Sequence, residues 1–236
     1  MKSLPIIGFD RYVPHHWLDT ALAVAAGEID RSAVVSLLAN EIVGVEARSK
    51  TMIILNRIWL TPHPTLVDFA SAGVAICQSK RDLDKLPFHW GMALASHPFF
   101  AMVADTIGKL LKLHGEVTAL QINRRLKEQL GDRASILRAT EAVLQTMLEW
   151  GVIREAEDRK RTFLVGRQIA VKSAPSALWL LEACLRASGR SLILGEKQNL
   201  LFPLRIDTPR EADFTRQNRL RLTISGSGTT TVSIAG

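Results

Sequence analysis

Six histidines, two cysteines and several carboxylates are the residues that could do chemistry, so their spacing is the first thing to weigh. His15 and His16 are adjacent, and His63, His89, His97 and His114 fall in four separate segments. A helical zinc site of the protease type needs two histidines one turn apart with a glutamate between them, and that pattern is absent from the sequence. Metal-assisted nuclease chemistry needs clustered carboxylates. The nearest pair, Asp82 and Asp84, lies in the polar run Ser79 to Lys85, which is expected to be a solvated connector. Ser188-Gly189-Arg190-Ser191 and Ser225-Gly226-Ser227-Gly228 are turn compositions, without the elbow of a serine hydrolase or the lysine and following helix of a phosphate-binding loop. Cys77 and Cys184 each sit in an apolar helical pattern, where a thiol behaves as a small hydrophobe. The expectation is therefore a protein that is not an enzyme, with no catalytic residue, no metal site and no cofactor.

Charge points elsewhere. The chain carries +7 over 236 residues. Residues 1–100 balance 9 basic against 9 acidic side chains, residues 101–170 hold 12 against 9, and residues 171–236 hold 9 against 5. A basic excess confined to the C-terminal part suits a polyanion partner. Apolar content of 47% supplies a core without disulfide or metal. The apolar stretch Thr65 to Cys77 is too short to span a bilayer, and Trp90 to Leu113 is interrupted by His97, Pro98 and Asp105. The first residues, MKSLPIIGFDRY, lack the apolar run of a signal peptide, so a cytoplasmic location without membrane contact is expected.

The elements that must position such an interface read as mostly α. Helices are expected over about 14–27, 30–44, 46–60 and 65–78, the last a central member of an N-terminal bundle because Asp68 is its one charged residue. The third alternates Arg48, Lys50 and Arg57 with Met52, Ile53, Ile54, Leu55 and Ile58. After Pro98, the stripe Phe99, Phe100, Val103, Ile107, Leu110 and Leu111 predicts another helix. Thr118 with Gln121 forms a capping box opening a helix to Leu130. Gly131-Asp132-Arg133 supplies a turn, and a further helix runs from about Ser135 to Trp150, with Leu137, Val143 or Leu144, Met147 and Leu148 inward. A hairpin follows, Val152 to Ala156 and Thr162 to Gly166, around the charged tip Glu157-Asp158-Arg159-Lys160-Arg161.

Helix, turn, helix and basic hairpin resemble the winged helix-turn-helix superfamily over roughly residues 98–172. That resemblance implies duplex DNA as partner, with outward residues of the third helix near base edges and the wing on phosphate or minor groove. The candidate DNA-contacting residues are Arg124, Arg133, Ser135, Arg138, Gln145, Arg159, Lys160, Arg161 and Arg167. The same superfamily also includes protein-docking modules, and Glu141, Glu149, Glu157 and Asp158 dilute the positive field. The alternative is thus an adaptor bound to other protein subunits of a nucleic-acid-processing complex. RNA read by shape alone is a third option.

The whole-chain layout is similar to the BrxA family of BREX phage-defence systems: a basic helix around Arg48, Lys50 and Arg57, an apolar segment before Phe99-Phe100, and closure through Leu144 to Ile153. This implies a DNA-binding accessory protein of bacterial defence, not a nuclease. The expected organisation is an N-terminal helical bundle over 1–97, the winged unit over 98–172 and a small α/β tail over 173–236. The tail is read as a helix from Ser176 to Ala187, a strand near Leu200 to Ile206 and a hairpin from Leu220 to Ile234. Its arginines Arg205, Arg210, Arg216, Arg219 and Arg221 are expected on a solvated face.

Overall fold

Proline and glycine stops divide the first hundred residues into short helices. The computed structural model describes residues 7–80, 82–226 and 228–235. Its helices begin with α1 (His15–Ala25), α2 (Ser32–Glu41), α3 (Val45–Leu55), α4 (Val67–Gln78), α5 (Leu86–Ser96) and α6 (Pro98–His114). A π-helical turn at Asn56–Leu60 prolongs α3. Next come β1 (Glu116–Thr118), α7 (Ala119–Leu130), α8 (Ala134–Glu149), β2 (Ile153–Glu155) and β3 (Thr162–Val165). The tail contains β4 (Ile169–Val171), α9 (Ala174–Ser188), β5 (Leu192–Ile193), β6 (Leu204–Ile206), α10 (Glu211–Thr215), β7 (Leu220–Ile224) and β8 (Thr230–Ile234). The fold is mostly helical with a small sheet-bearing tail. No described helix is long and apolar enough to cross a membrane. The reading of Met1 to Ile6, Arg81 in the polar connector, Ser227 in the expected turn and the terminal Gly236 lie outside the described residues.

The central helix is α5, not α4. Every residue of α5 from Leu86 to Leu94 is buried, whereas α4 buries Phe69, Ala70 and Gly73 and leaves Val67 exposed. A run of small apolar residues is compatible with either position, and packing by the tail decided between them. Trp179 of α9 stacks flat on Phe69, with centroids 4.3 Å apart, and its indole N–H donates to the Phe69 carbonyl at 2.8 Å. Gly91 of α5 admits this ring, since a Cβ there would lie 2.3 Å from Trp179. Trp90 faces the other way: it donates to the Leu200 carbonyl at 2.8 Å and meets Phe100, Trp150 and Phe202. Buried apolar residues form one cluster from Phe9 to Val232.

One expectation for the tail needs correction. Arg219 is not on a solvated face, because its Nη2 lies 2.9 Å from Glu182, a carboxylate 1% exposed inside α9. Arg186 holds the other oxygen of Glu182 at 2.8 Å, so the buried charge is answered from two sides, as a buried ion must be. Beyond the hairpin, Ile169 to Val171 pair in parallel with β6. Between β7 and β8 the antiparallel register runs from Leu220 opposite Ile234 to Ile224 opposite Thr230, with Leu220 buried and Ile224 exposed.

His97 joins α5 to α6 and shows what burial does to a titratable group. Ser96 Oγ donates to the Met92 carbonyl and therefore accepts from His97 Nδ1 at 2.9 Å, leaving Nε2 bare and without a partner among the described residues. Burial, and then the Arg57 cation, push its pKa from 6.5 down to about 3. Unfolding consequently takes up a proton between those values. Stability should be full above pH 6.5 and fall as pH drops toward 3, by about 1.4 kcal/mol per pH unit for one such histidine. Buried His89, also shifted downward by desolvation, adds to the trend. Urea titrations from pH 7 to 4 should show a shallower slope in His97→Gln; an unchanged slope refutes the assignment.

Candidate nucleic-acid interface

Each element of this candidate region starts or stops where a specific local contact requires it. Gly115 ends α6 in the left-handed conformation, φ 75°, which a residue without Cβ adopts freely. Thr118 then caps α7: its Oγ1 accepts from the Gln121 amide at 3.2 Å while Gln121 Oε1 accepts from the Thr118 amide at 2.8 Å. This is the reciprocal box read from the sequence. Gly131, φ 82°, turns the chain into α8. Beyond α8, Gly166 comes so close to the Gly151 carbonyl that a Cβ would lie 2.2 Å from it. That approach closes the hairpin.

Strands β1, β3 and β2 form an antiparallel sheet in that spatial order, with Val117 opposite Phe163 and Arg154 opposite Leu164. Helix α8 packs through Ile136, Ala139, Thr140, Val143, Leu144 and Met147. Leu137, expected inward, is instead 40% exposed, and Ile136 takes its place. The helix starts at Ala134, and this phase lets the 136, 139/140, 143, 147 rows face the core. The opposite stripe is Ala134, Arg138, Glu141 and Gln145, flanked by Ser135.

Ser135, Arg138 and Gln145 are therefore exposed together on one face, and their side chains have no hydrogen-bond partner among the described residues. Arg159, Lys160 and Arg161 stand at the hairpin tip beside it. Arg161 reaches Glu141 of α8 through Nη1 at 3.3 Å and Nη2 at 2.7 Å, and Arg159 takes Glu116 of β1 through two bonds of 2.7 Å. These hydrogen bonds, and then the carboxylate charges, raise both guanidinium pKa values above their ordinary range. The tip is anchored by its backbone too, since the Ala119 amide donates to the Arg161 carbonyl at 2.9 Å. Arg124 projects from α7 and pairs with Glu128 at 3.2 Å, while Arg133 donates to the Leu130 carbonyl at 3.1 Å.

Arg167 does not join them. It pairs with Asp84 in a cleft lined by His15, Asp19, His89, Glu149 and Trp150, at the far end of α8 from Ser135. Asp84, read as part of a solvated loop, also accepts from the Leu86 amide and so opens α5. In the same cleft Trp59 donates to His89 Nδ1 at 3.0 Å, which leaves the imidazole proton on Nε2 facing Asp19 at 3.0 Å. The described residues include no group of three histidine, cysteine or carboxylate side chains able to hold a metal ion.

Comparison with protein-family models, curated proteins and solved structures finds no match to this chain.

The sequence reading missed what holds α8. The segment before α1 straps its C-terminal half: the Val13 amide donates to Thr146 Oγ1 at 3.0 Å, the Trp150 indole donates to the Val13 carbonyl at 3.0 Å, and His15 meets Glu149 at 2.6 Å. No local pattern announces contacts between positions about 135 residues apart. Val13 is fully buried, so Thr146→Val keeps the shape and strands an amide. It should cost about 1–3 kcal/mol in denaturant titration, and a loss under about half of that rejects the strap as a support of α8.

Proposed function

We propose that α6 to β3 form a winged helix-turn-helix that binds duplex DNA, with α8 offered to the major groove and the β2–β3 hairpin acting as the wing. The observation that carries this reading is the uncovered stripe of α8, Ser135, Arg138 and Gln145, standing beside an exposed basic hairpin tip in a sheet of order β1-β3-β2. The short helix-turn-helix connection and the single-turn reach from Arg138 to Glu141, where the wing touches α8, are what both parts need to meet one duplex. Phosphate contacts supply affinity, and base-edge contacts from Arg138 and Gln145 supply any sequence preference. In this reading the protein acts without chemistry of its own, in the cytoplasm, as an accessory component of a bacterial phage-defence system like those containing BrxA, or as a regulator.

A specific observation favours a second reading, a docking module for other protein subunits. Leu113, Leu120 and Leu137, on α6, α7 and α8, are 73%, 79% and 40% exposed, an apolar display that a purely electrostatic interface does not need.

A mobility-shift titration at two salt concentrations separates the readings, because neutralising four to six phosphates makes affinity drop about a hundredfold or more over a fourfold salt increase. Replacing Arg159, Lys160 and Arg161 together by alanine should weaken binding to every duplex alike. Replacing Arg138 or Gln145 should change sequence preference, by about 1–3 kcal/mol where a bidentate base contact is lost. Undiminished affinity in the triple variant removes the wing from the interface. Absence of any salt-sensitive DNA binding leaves the docking module.

A further inference from the structure

Three cations at the hairpin tip stand among five carboxylates: Glu116, Glu141, Glu155, Glu157 and Asp158. Two of these carboxylates lie across both Nη atoms of a guanidinium, and Asp158 also stands 3.5 Å from Arg159 Nε. Glu116 spans Nη1 and Nη2 of Arg159, and Glu141 spans Nη1 and Nη2 of Arg161. A fork laid on two oxygens is also how arginine takes a phosphate. The glutamates thus stand where an oxyanion of a nucleic-acid backbone would stand.

The rest of the tip is fixed independently of those pairs. Arg161 holds φ 57°, a left-handed conformation uncommon for a residue with a Cβ. Glu155 Oε1 accepts its amide at 3.1 Å, and its carbonyl accepts from Ala119. Exchange of partner therefore requires only side-chain rotation. Both pairs are open to solvent, with Arg159 and Arg161 53% and 55% exposed, so salt screens them and a phosphate can compete for the same two-oxygen geometry. Lys160, between them, has no carboxylate partner among the described residues.

We propose that Glu116 and Glu141 are internal competitors for the phosphate positions of the wing, so that a duplex must displace two carboxylates before Arg159 and Arg161 can hold it. This rests on the DNA-binding reading above and adds a regulation to it. Each retained glutamate brings a guanidinium to the duplex with no net charge, which lowers affinity and flattens its salt dependence. An uncompensated contact adds about −0.9 to the slope of log K against log salt.

The test uses the full chain, a labelled mixed-sequence duplex of about thirty base pairs, and a salt series read by fluorescence anisotropy. Glu116→Gln with Glu141→Gln keeps size and hydrogen bonding and removes both charges. It should tighten binding at least about fivefold at low salt and steepen the slope by about one to two. Adding Arg159→Ala and Arg161→Ala to that protein should abolish the gain. Glu116→Gln alone, which leaves α8 untouched, should give part of the effect and guards against a misfolded double variant.

Wild-type binding with equal or weaker binding by the glutamine proteins overturns the competition and leaves the DNA-binding reading standing. A silent wild type with a binding glutamine variant supports both. Failure of every protein to bind overturns both.

Discussion

The indole of Trp150 is the contact on which the exposed face of α8 depends. Its ring packs against Trp90 and Phe100, with centroids 6.3 and 5.8 Å away, and its N–H is satisfied by the carbonyl of Val13. A buried tryptophan contributes a large apolar area but must also find an acceptor, and here one side chain does both. Trp90 carries the same constraint one step further, to Leu200 and Phe202 of the tail. The N-terminal segment, the central helix, α8 and the tail are thereby ordered around a few aromatic rings.

That arrangement places one helix in two environments. One side of the C-terminal half of α8, at Thr146 and Glu149, is held by Val13, His15 and Trp150, whereas the other side of the helix presents Ser135, Arg138 and Gln145 to solvent. A rigid rear and an open front is the arrangement by which a rigid element can offer side chains to a large partner at little cost in ordering. The hairpin shares this rigidity through backbone bonds, from Gly166 to Val152 and from Ala119 to Arg161. Its freedom lies in the side chains alone.

What was legible in the sequence was local. The Thr118–Gln121 box, the turn at Gly131 and the hairpin strands on either side of the charged tip each depend on neighbours a few residues away, and each appears in the structure. What was illegible depends on partners far along the chain. The central place of α5, a helix not read from the sequence, follows from Trp179, over 80 residues downstream of Gly91. In α8 the expected inward residues Val143, Leu144 and Met147 are buried, but Ile136 and not Leu137 faces the core at its start, and two adjacent apolar residues carry no local signal of which one does. At the interface the candidate residues could be named, but not their carboxylate partners, because Arg159 and Glu116 are 43 positions apart.

Net charge illustrates the same point most sharply. The basic excess is greatest in residues 171–236, yet two arginines there, Arg186 and Arg219, are committed to the buried carboxylate of Glu182 and hold α9 to the chain around Thr65 and Asp68. In residues 101–170 the excess is smaller, and Arg159, Arg161 and Arg167 are each paired. The potential felt by a polyanion is set by cations left uncompensated and by pairs weak enough to exchange, not by the sum. On that measure, and in the proposed reading, Arg138 and Lys160 offer the first attraction, and the two guanidinium forks at the hairpin tip offer a second once their carboxylates are released. On the proposed DNA-binding reading, a duplex would meet such a surface in two stages, and its affinity would be set as much by the acidic residues as by the basic ones.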